Sequence, residues 1–192
     1  MTLTQAPLMT DPDDTDSITA SVRRWVESVV VDLNLCPFAG RELRRERIRF
    51  AVTPATTEAQ LLASLQTELE WLDTHPAIET TLLIHPRVLP DFGDYNQFLD
   101  TADDLLGAMG VDGIYQLASF HPHYQFADTA ADDVENYTNR SPYPMLHLLR
   151  EQSLERSIAS YPDTEQIPRR NIALMKRLGI ARLKQLLRAC FT

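Results

Sequence analysis

"RIRFAVTPATTEAQLLASLQTELEWLDTHPAIETTLLIHPRV" (Arg47–Val88) carries the pattern that decides the fold class. Arg47–Ala55 has the alternation and length of a strand and is closed by Pro54. Thr57 and Gln60 then form a capping box. Behind it, Leu61, Leu62, Leu65, Leu69 and Leu72 recur at helical spacing and form a buried stripe. Thr80–Val88 returns as a short continuous apolar run, fit for a strand buried on both faces. Strand, helix and strand in this order make a right-handed parallel unit.

The same alternation continues downstream. Asp91–Gly110 reads as a second crossover helix, with Tyr95, Phe98, Leu99, Ala102, Leu105 and Leu106 inward and Gly110 near its C-cap. Ile114–Phe126 reads as a third strand. Upstream, Thr15, Asp16 and Ser17 can cap a helix whose apolar face is Ile18, Val22, Trp25, Val26, Val29, Val30 and Leu33. Pro37 and Gly40 punctuate its end. Ser141–Ala159 has a candidate cap at Ser141 and proline in the first turn, and it reads as another helix. Pro168–Phe191 reads as two short helices hinged at Gly179. Residues 1–14 are polar, acidic and proline-containing, the composition of a disordered arm. The expected architecture is therefore one α/β domain over residues 15–192. It has a small, mainly parallel sheet of three strands or slightly more (a βαβαβ core), an N-terminal helix, and a helical C-terminal extension over 141–192.

Composition narrows the function classes. The 192 residues are 44% hydrophobic and 23% charged, enough for a real core. No apolar run approaches the length of a membrane span, and no basic and apolar leader opens the chain, so a cytoplasmic protein without a membrane partner is expected. Cys36 and Cys190 lie far apart and are expected as thiols. A net charge of −9 argues against broad nucleic-acid binding. The seven basic residues of the last 26 read as the solvated face of a packing helix.

The candidate chemistry lies in "SFHPHYQFADTAADDVENYTNRSPYPMLHLLRE" (Ser119–Glu151), which holds three of the five histidines. In a parallel sheet, ligands sit beyond the carboxyl ends of the strands. His85 and His121, each followed by proline, would stand at that edge. If the third strand runs on, His121 and His123 point to one face. With His85 or His147 they could then hold a divalent metal ion. Asn136, Asn139, Arg140 and Ser141 precede the expected helix N-terminus, where free N–H groups favour an anion. Arg140 would add a bidentate clamp. On that helix His147, Arg150, Glu151 and Leu154 would share a face. Cys36 is a candidate reactive thiol, although a helix C-terminus does not favour a thiolate.

"VVVDLNLCPFA" and the Ser119–Glu151 block together resemble a bacterial family, domain of unknown function 1415. The resemblance covers nearly the whole chain after the acidic arm. By resemblance, the family signature falls on Cys36, Pro37 and Phe38, and on His121, Pro122, Tyr124, Gln125 and Phe126. It continues through Asn136, Asn139, Arg140, Ser141, Pro142, His147, Arg150 and Glu151. The family carries no assigned activity, so the resemblance implies none.

The residues themselves support an enzyme for a small phosphate- or carboxylate-bearing metabolite, of hydrolase or lyase type. Arg140, Arg150, Asn136, Asn139 and Ser141 would bind the anion. His121 or His123 would move the proton, with His147 and Glu151 as partners, with or without a metal ion. The alternative is a protein-interaction module with Phe120, Tyr124, Phe126, Tyr137 and Tyr143 as anchors. The plainest reading is a long loop tied down by its own Asn, Ser and Arg hydrogen bonds.

Overall fold

The computed structural model describes residues 14–192. The expected acidic arm lies outside the described residues except for Asp14, which caps the first helix. The Ser17 amide donates to Asp14 Oδ1 at 3.2 Å. Helix α1 (Thr15–Trp25) runs straight into a π-helical segment, Val26–Val31. A short α2 (Ala39–Arg44) leads to β1 (Ile48–Val52), α3 (Glu58–Thr74), β2 (Thr80–Ile84), α4 (Phe92–Met109) and β3 (Tyr115–Phe120). The chain then forms a 3-10 turn at Val134–Thr138, β4 (Met145–Arg150), α5 (Glu151–Ala159) and α6 (Ile167–Ala189).

The central unit formed as the sequence pattern requires. Thr57 caps α3, and the Gln60 amide donates to its Oγ1 at 3.3 Å. Asp91 caps α4 by accepting from the Gly93 and Asp94 amides. Gly110 ends α4 at φ 68°, a conformation open to glycine at little cost. β1 and β2 pair in parallel, with Phe50 beside Leu82 and Val52 beside Ile84. Gly179 breaks α6 at φ 74° and ψ 160°, the expected hinge.

The sheet is mixed, however, and not mainly parallel. Its order is β1-β2-β4-β3. β4 lies between β2 and β3 and is antiparallel to both. Ser141–Ala159 is thus not one helix: Met145–Arg150 is an internal strand, and the helical region starts at Glu151. The apolar run "MLHLL" suits a strand buried on both faces as well as it suits a helix. Pro142 and Pro144 keep Ser141 and Tyr143 extended, and pairing with β2 and β3 on both sides decides for the strand.

Helices cover both faces. α3 and α4 pack on one face against Leu83, Leu146, Leu148 and Tyr115. Leu61, Leu65 and Leu72 are fully buried there, each contributing about 1.5–3 kcal/mol of transfer free energy. α1, the π segment and α6 cover the other face, over Leu82, Ile84 and Met145. Arg24 Nε donates to the Cys190 carbonyl at 2.9 Å and closes the C-terminus onto α1. Among the described residues, no helix is long and apolar enough to cross a membrane.

Candidate functional site

The mixed sheet separates the expected site residues. Strand alternation on β4 turns Leu146 and Leu148 toward α3 and α4. Met145 and His147 therefore face α1. β3 stops at Phe120, so His121 and His123 are not strand neighbours, but their ring centroids still lie 5.9 Å apart. His121 folds under α4 instead, against Phe92 and Tyr95. Its Nε2–H donates to the Leu89 carbonyl at 3.2 Å, and its Nδ1 accepts from the His123 amide at 3.0 Å. Burial lowers its pKa. His123 is exposed.

His85 is fully buried, stacks on Tyr95 and donates from Nδ1 to the Val88 carbonyl at 3.0 Å. Burial pulls its pKa down to about 4. The Tyr95 hydroxyl donates to the Met145 carbonyl at 2.8 Å and accepts from the Phe120 amide at 3.2 Å. It ties α4 to the ends of β3 and β4. His85, His121 and His123 thus gather on the α4 side, while His147 lies on the opposite face of the sheet. The four cannot converge on one ion. Among the described residues no group of three or more His, Cys, Asp or Glu is placed to hold a metal.

The expected anion cradle is likewise dispersed. No helix begins at Ser141, whose hydroxyl donates to the Tyr143 carbonyl at 2.7 Å. Arg140 donates from Nε to the Tyr124 carbonyl and from Nη2 to the Ala131 carbonyl, with Tyr137 beneath it. Asn136 is buried and accepts from the Phe126 amide at 3.0 Å. Asn139 Nδ2 donates to the Ser119 carbonyl at 3.2 Å. These side chains hold the loop in shape. Arg150 donates to the carbonyls of Leu72, His75 and Ile78 and to the Tyr115 hydroxyl, so it fastens β4 to the end of α3. Glu151 opens α5, and its amide donates to the Ile114 carbonyl. None of Phe120, Tyr124, Phe126, Tyr137 and Tyr143 is exposed.

What the structure does bring together is His147 with Cys36. Both line a cavity of about 240 Å³ between the α1 face of the sheet, the π segment, α2 and α5. Trp25, Val26, Val30, Ile48, Leu82, Phe120, Leu149 and Leu154 make its wall largely apolar. The π segment contributes Val26 and Val30; such wide turns recur at functional sites. The cavity lies toward the amino ends of β1 and β2, not their carboxyl ends, because antiparallel β4 carries His147 back along β2. Leu82 is its register partner.

Thr80 sets the state of His147. Its hydroxyl donates to the Leu148 carbonyl at 2.5 Å. Having one proton, it must accept from His147 Nε2 at 2.7 Å. His147 is therefore the Nε2–H tautomer, with Nδ1 an acceptor that has no hydrogen-bond partner among the described residues. One side of the ring borders the cavity and keeps some accessible surface, while protein surrounds the rest. That burial lowers its pKa to about 4 and keeps the imidazole neutral at pH 7.

Charged residues ring one end of the cavity, and all are engaged. Arg41 Nε lies 2.6 Å from Glu42 Oε1. Arg47 pairs with Glu42 at 3.3 Å and with Glu79. A second cavity of about 470 Å³ adjoins the first and shares Val30, Cys36 and Phe120 with it. Its wall includes Phe126, Thr129, Glu135, Thr138, Asn139 and Asn171. Cys36 stands where the two spaces meet. Sequence reasoning did not single out Thr80, Glu42 or Glu79. The alternation of "ETTLLI" was the available signal, since it puts Thr80 on the face of Leu82 and Ile84.

The family model described as "Protein of unknown function (DUF1415)" matches residues 17–185. The chain belongs to that family. No curated protein and no solved structure matches it.

Proposed function

We propose that this chain is an enzyme acting on a small molecule held in the His147 cavity, with His147 as general base. The observation that carries the reading is the state of His147. It is neutral, its tautomer is held by Thr80, and its free nitrogen borders a half-open, mostly apolar space. A general base must be unprotonated at the operating pH and fixed in orientation; burial makes this imidazole a weak base, so it suits a proton that the bound molecule gives up readily. Hydrolase or lyase chemistry, which begins with a proton removed from water or substrate, fits such a group. Cys36, at the junction of the two cavities, is the one thiol within the same wall. The adjoining space gives room for a leaving group or a longer substrate.

The test is substrate discovery by difference. Wild-type protein and His147→Gln are incubated with a desalted small-molecule fraction of cells, and consumed and formed species are compared by mass spectrometry. The wild type should consume at least one compound that the variant leaves untouched, with both folded by circular dichroism. Equal consumption by the two proteins, or none by either, counts against the reading.

A further inference from the structure

We propose that the His147 cavity takes a small uncharged molecule, apolar over most of its surface and bearing one hydroxyl, an alcohol or phenol whose O–H donates to Nδ1 of His147. The inference rests on the cavity being the working site and adds the class of molecule that it holds.

Three observations point the same way. The first is hydrogen-bond capacity. The Thr80 hydroxyl is spent on the Leu148 carbonyl, and Nε2–H of His147 is spent on Thr80. What is left on the sheet floor is a lone pair, which only a donor satisfies. The second is charge. The wall holds four ionisable chains of fixed charge: Arg41, Glu42, Glu79 and Arg150. Glu42 is paired with Arg41 and Arg47, and Glu79 with Arg47. Glu42 Oε2 and Glu79 Oε1 have no hydrogen-bond partner, but both are sealed from solvent and so out of a ligand's reach. The Arg150 guanidinium is directed to three backbone carbonyls and a tyrosine hydroxyl. An ionic ligand would lose hydration, and apart from the outward Nη groups of the half-exposed Arg41 it would find the wall's charges committed to other partners. The third is size. Apolar cavities of about 150 Å³ already accept benzene, so about 240 Å³ admits a single ring with one or two substituents.

The test uses three single-ring probes, p-cresol, toluene (p-cresol without its hydroxyl) and benzoate. Each is titrated at pH 7 into wild type, His147→Phe and Leu154→Trp, with binding read by amide chemical shifts. In the wild type p-cresol should bind roughly tenfold more tightly than toluene, the effect of one hydrogen bond. Benzoate should bind more weakly than either. His147→Phe keeps a ring and removes the acceptor, so the preference should fall to parity or reverse. Leu154→Trp fills the cavity from α5 while keeping His147, and should weaken p-cresol and toluene alike. If His147→Phe does not fold, the wild-type ranking and Leu154→Trp still decide. Equal wild-type affinity for p-cresol and toluene would overturn the hydroxyl assignment and leave the cavity standing as an apolar site. Benzoate as the tightest probe, failure of p-cresol to bind, or a preference that survives in His147→Phe would also overturn it. Binding is read without turnover. Turnover absent in the wild type, or equal in His147→Gln, with p-cresol binding intact would therefore sink the general base and leave this inference in place.

Discussion

The two faces of the sheet are built on different plans. On one, α3 and α4 are regular helices of 17 and 18 residues whose leucines and aromatics interlock with Leu83, Leu146 and Leu148. On the other, α1 and a kinked α6 leave part of the surface to a π-helical segment, a six-residue helix, and α5, which has no buried residue. Irregular pieces cannot tile a flat apolar surface, and two cavities remain between them. Close packing is the source of stability, while concave space with few polar groups is what a ligand needs. The sheet divides these tasks between its faces, and β4 takes part in both: Leu146 and Leu148 serve one, His147 the other.

The largest expected effect breaks the dense face. Leu65 is fully buried beneath the sheet, and Leu65→Ala should lower unfolding free energy by about 2–5 kcal/mol. Leu154→Ala, at a half-buried position over the cavity, should lower it by less than about 1 kcal/mol, because it enlarges a space that exists already. Urea denaturation of both variants checks the contrast. Equal losses would mean that the two faces are packed alike.

Acid should load both faces at once. His85 on the α4 side and His147 on the cavity side have folded pKa values of about 4, both lowered by burial. An unfolded histidine titrates near 6.5. Between about pH 6.5 and pH 4 the unfolded chain therefore binds more protons than the folded one. Stability falls as pH drops through that window and levels off for these groups below about 4. Each contributes about 3 kcal/mol to the fall. Denaturation midpoints at pH 7, 5.5 and 4.5 measure it. His147→Phe should remove roughly half of the slope, and a slope unchanged in that variant would remove His147 as a neutral buried base.

How much of this was legible depends on the kind of signal. α3 and α4 were readable to within a residue or two because caps and long apolar stripes agree: Thr57 with Leu61 to Leu72, and Gly110 with Tyr95 to Leu106. The hinge at Gly179 was readable for a similar reason, since glycine in an otherwise regular helix is costly unless the backbone departs there. β4 was not read, because "MLHLL" has no period of its own and the spacing of His147, Arg150 and Leu154 imitates a helix face. The prolines before it fit the first turn of a helix as well as the entry to a strand, and they point to the helix once Ser141 is taken as its cap. That one misassignment moved the expected site. With β4 as a helix, His147, Arg140 and His121 share an edge; with β4 as a strand, the sheet stands between His147 and His121. The pairing of Thr80 with His147 joins positions 67 residues apart in sequence and depends on register, which no local pattern encodes. Cys36 was singled out, but that it lines a cavity depends on where α1 and the π segment lie against the sheet.

The finest test of the two-face plan is Thr80→Val, which alters the cavity floor and little else. Valine keeps the shape and the β-branch, so β2 should hold its register. Two hydrogen bonds are lost: the one that Thr80 donates to Leu148, and the one that it accepts from His147. The Leu148 carbonyl also sits in the β2–β4–β3 ladder, so the backbone keeps partners, and the cost should be about 1–2 kcal/mol. The sharper readout is the imidazole itself. In the wild type, ¹⁵N shifts of His147 should report a single tautomer with the proton on Nε2. In Thr80→Val nothing fixes the proton, and a mixture of both tautomers should appear while the ring stays neutral at pH 7. Burial, not Thr80, keeps it neutral. A single Nε2–H tautomer in the variant would mean that another group orients His147, and the division of labour along β4 would have to be drawn again.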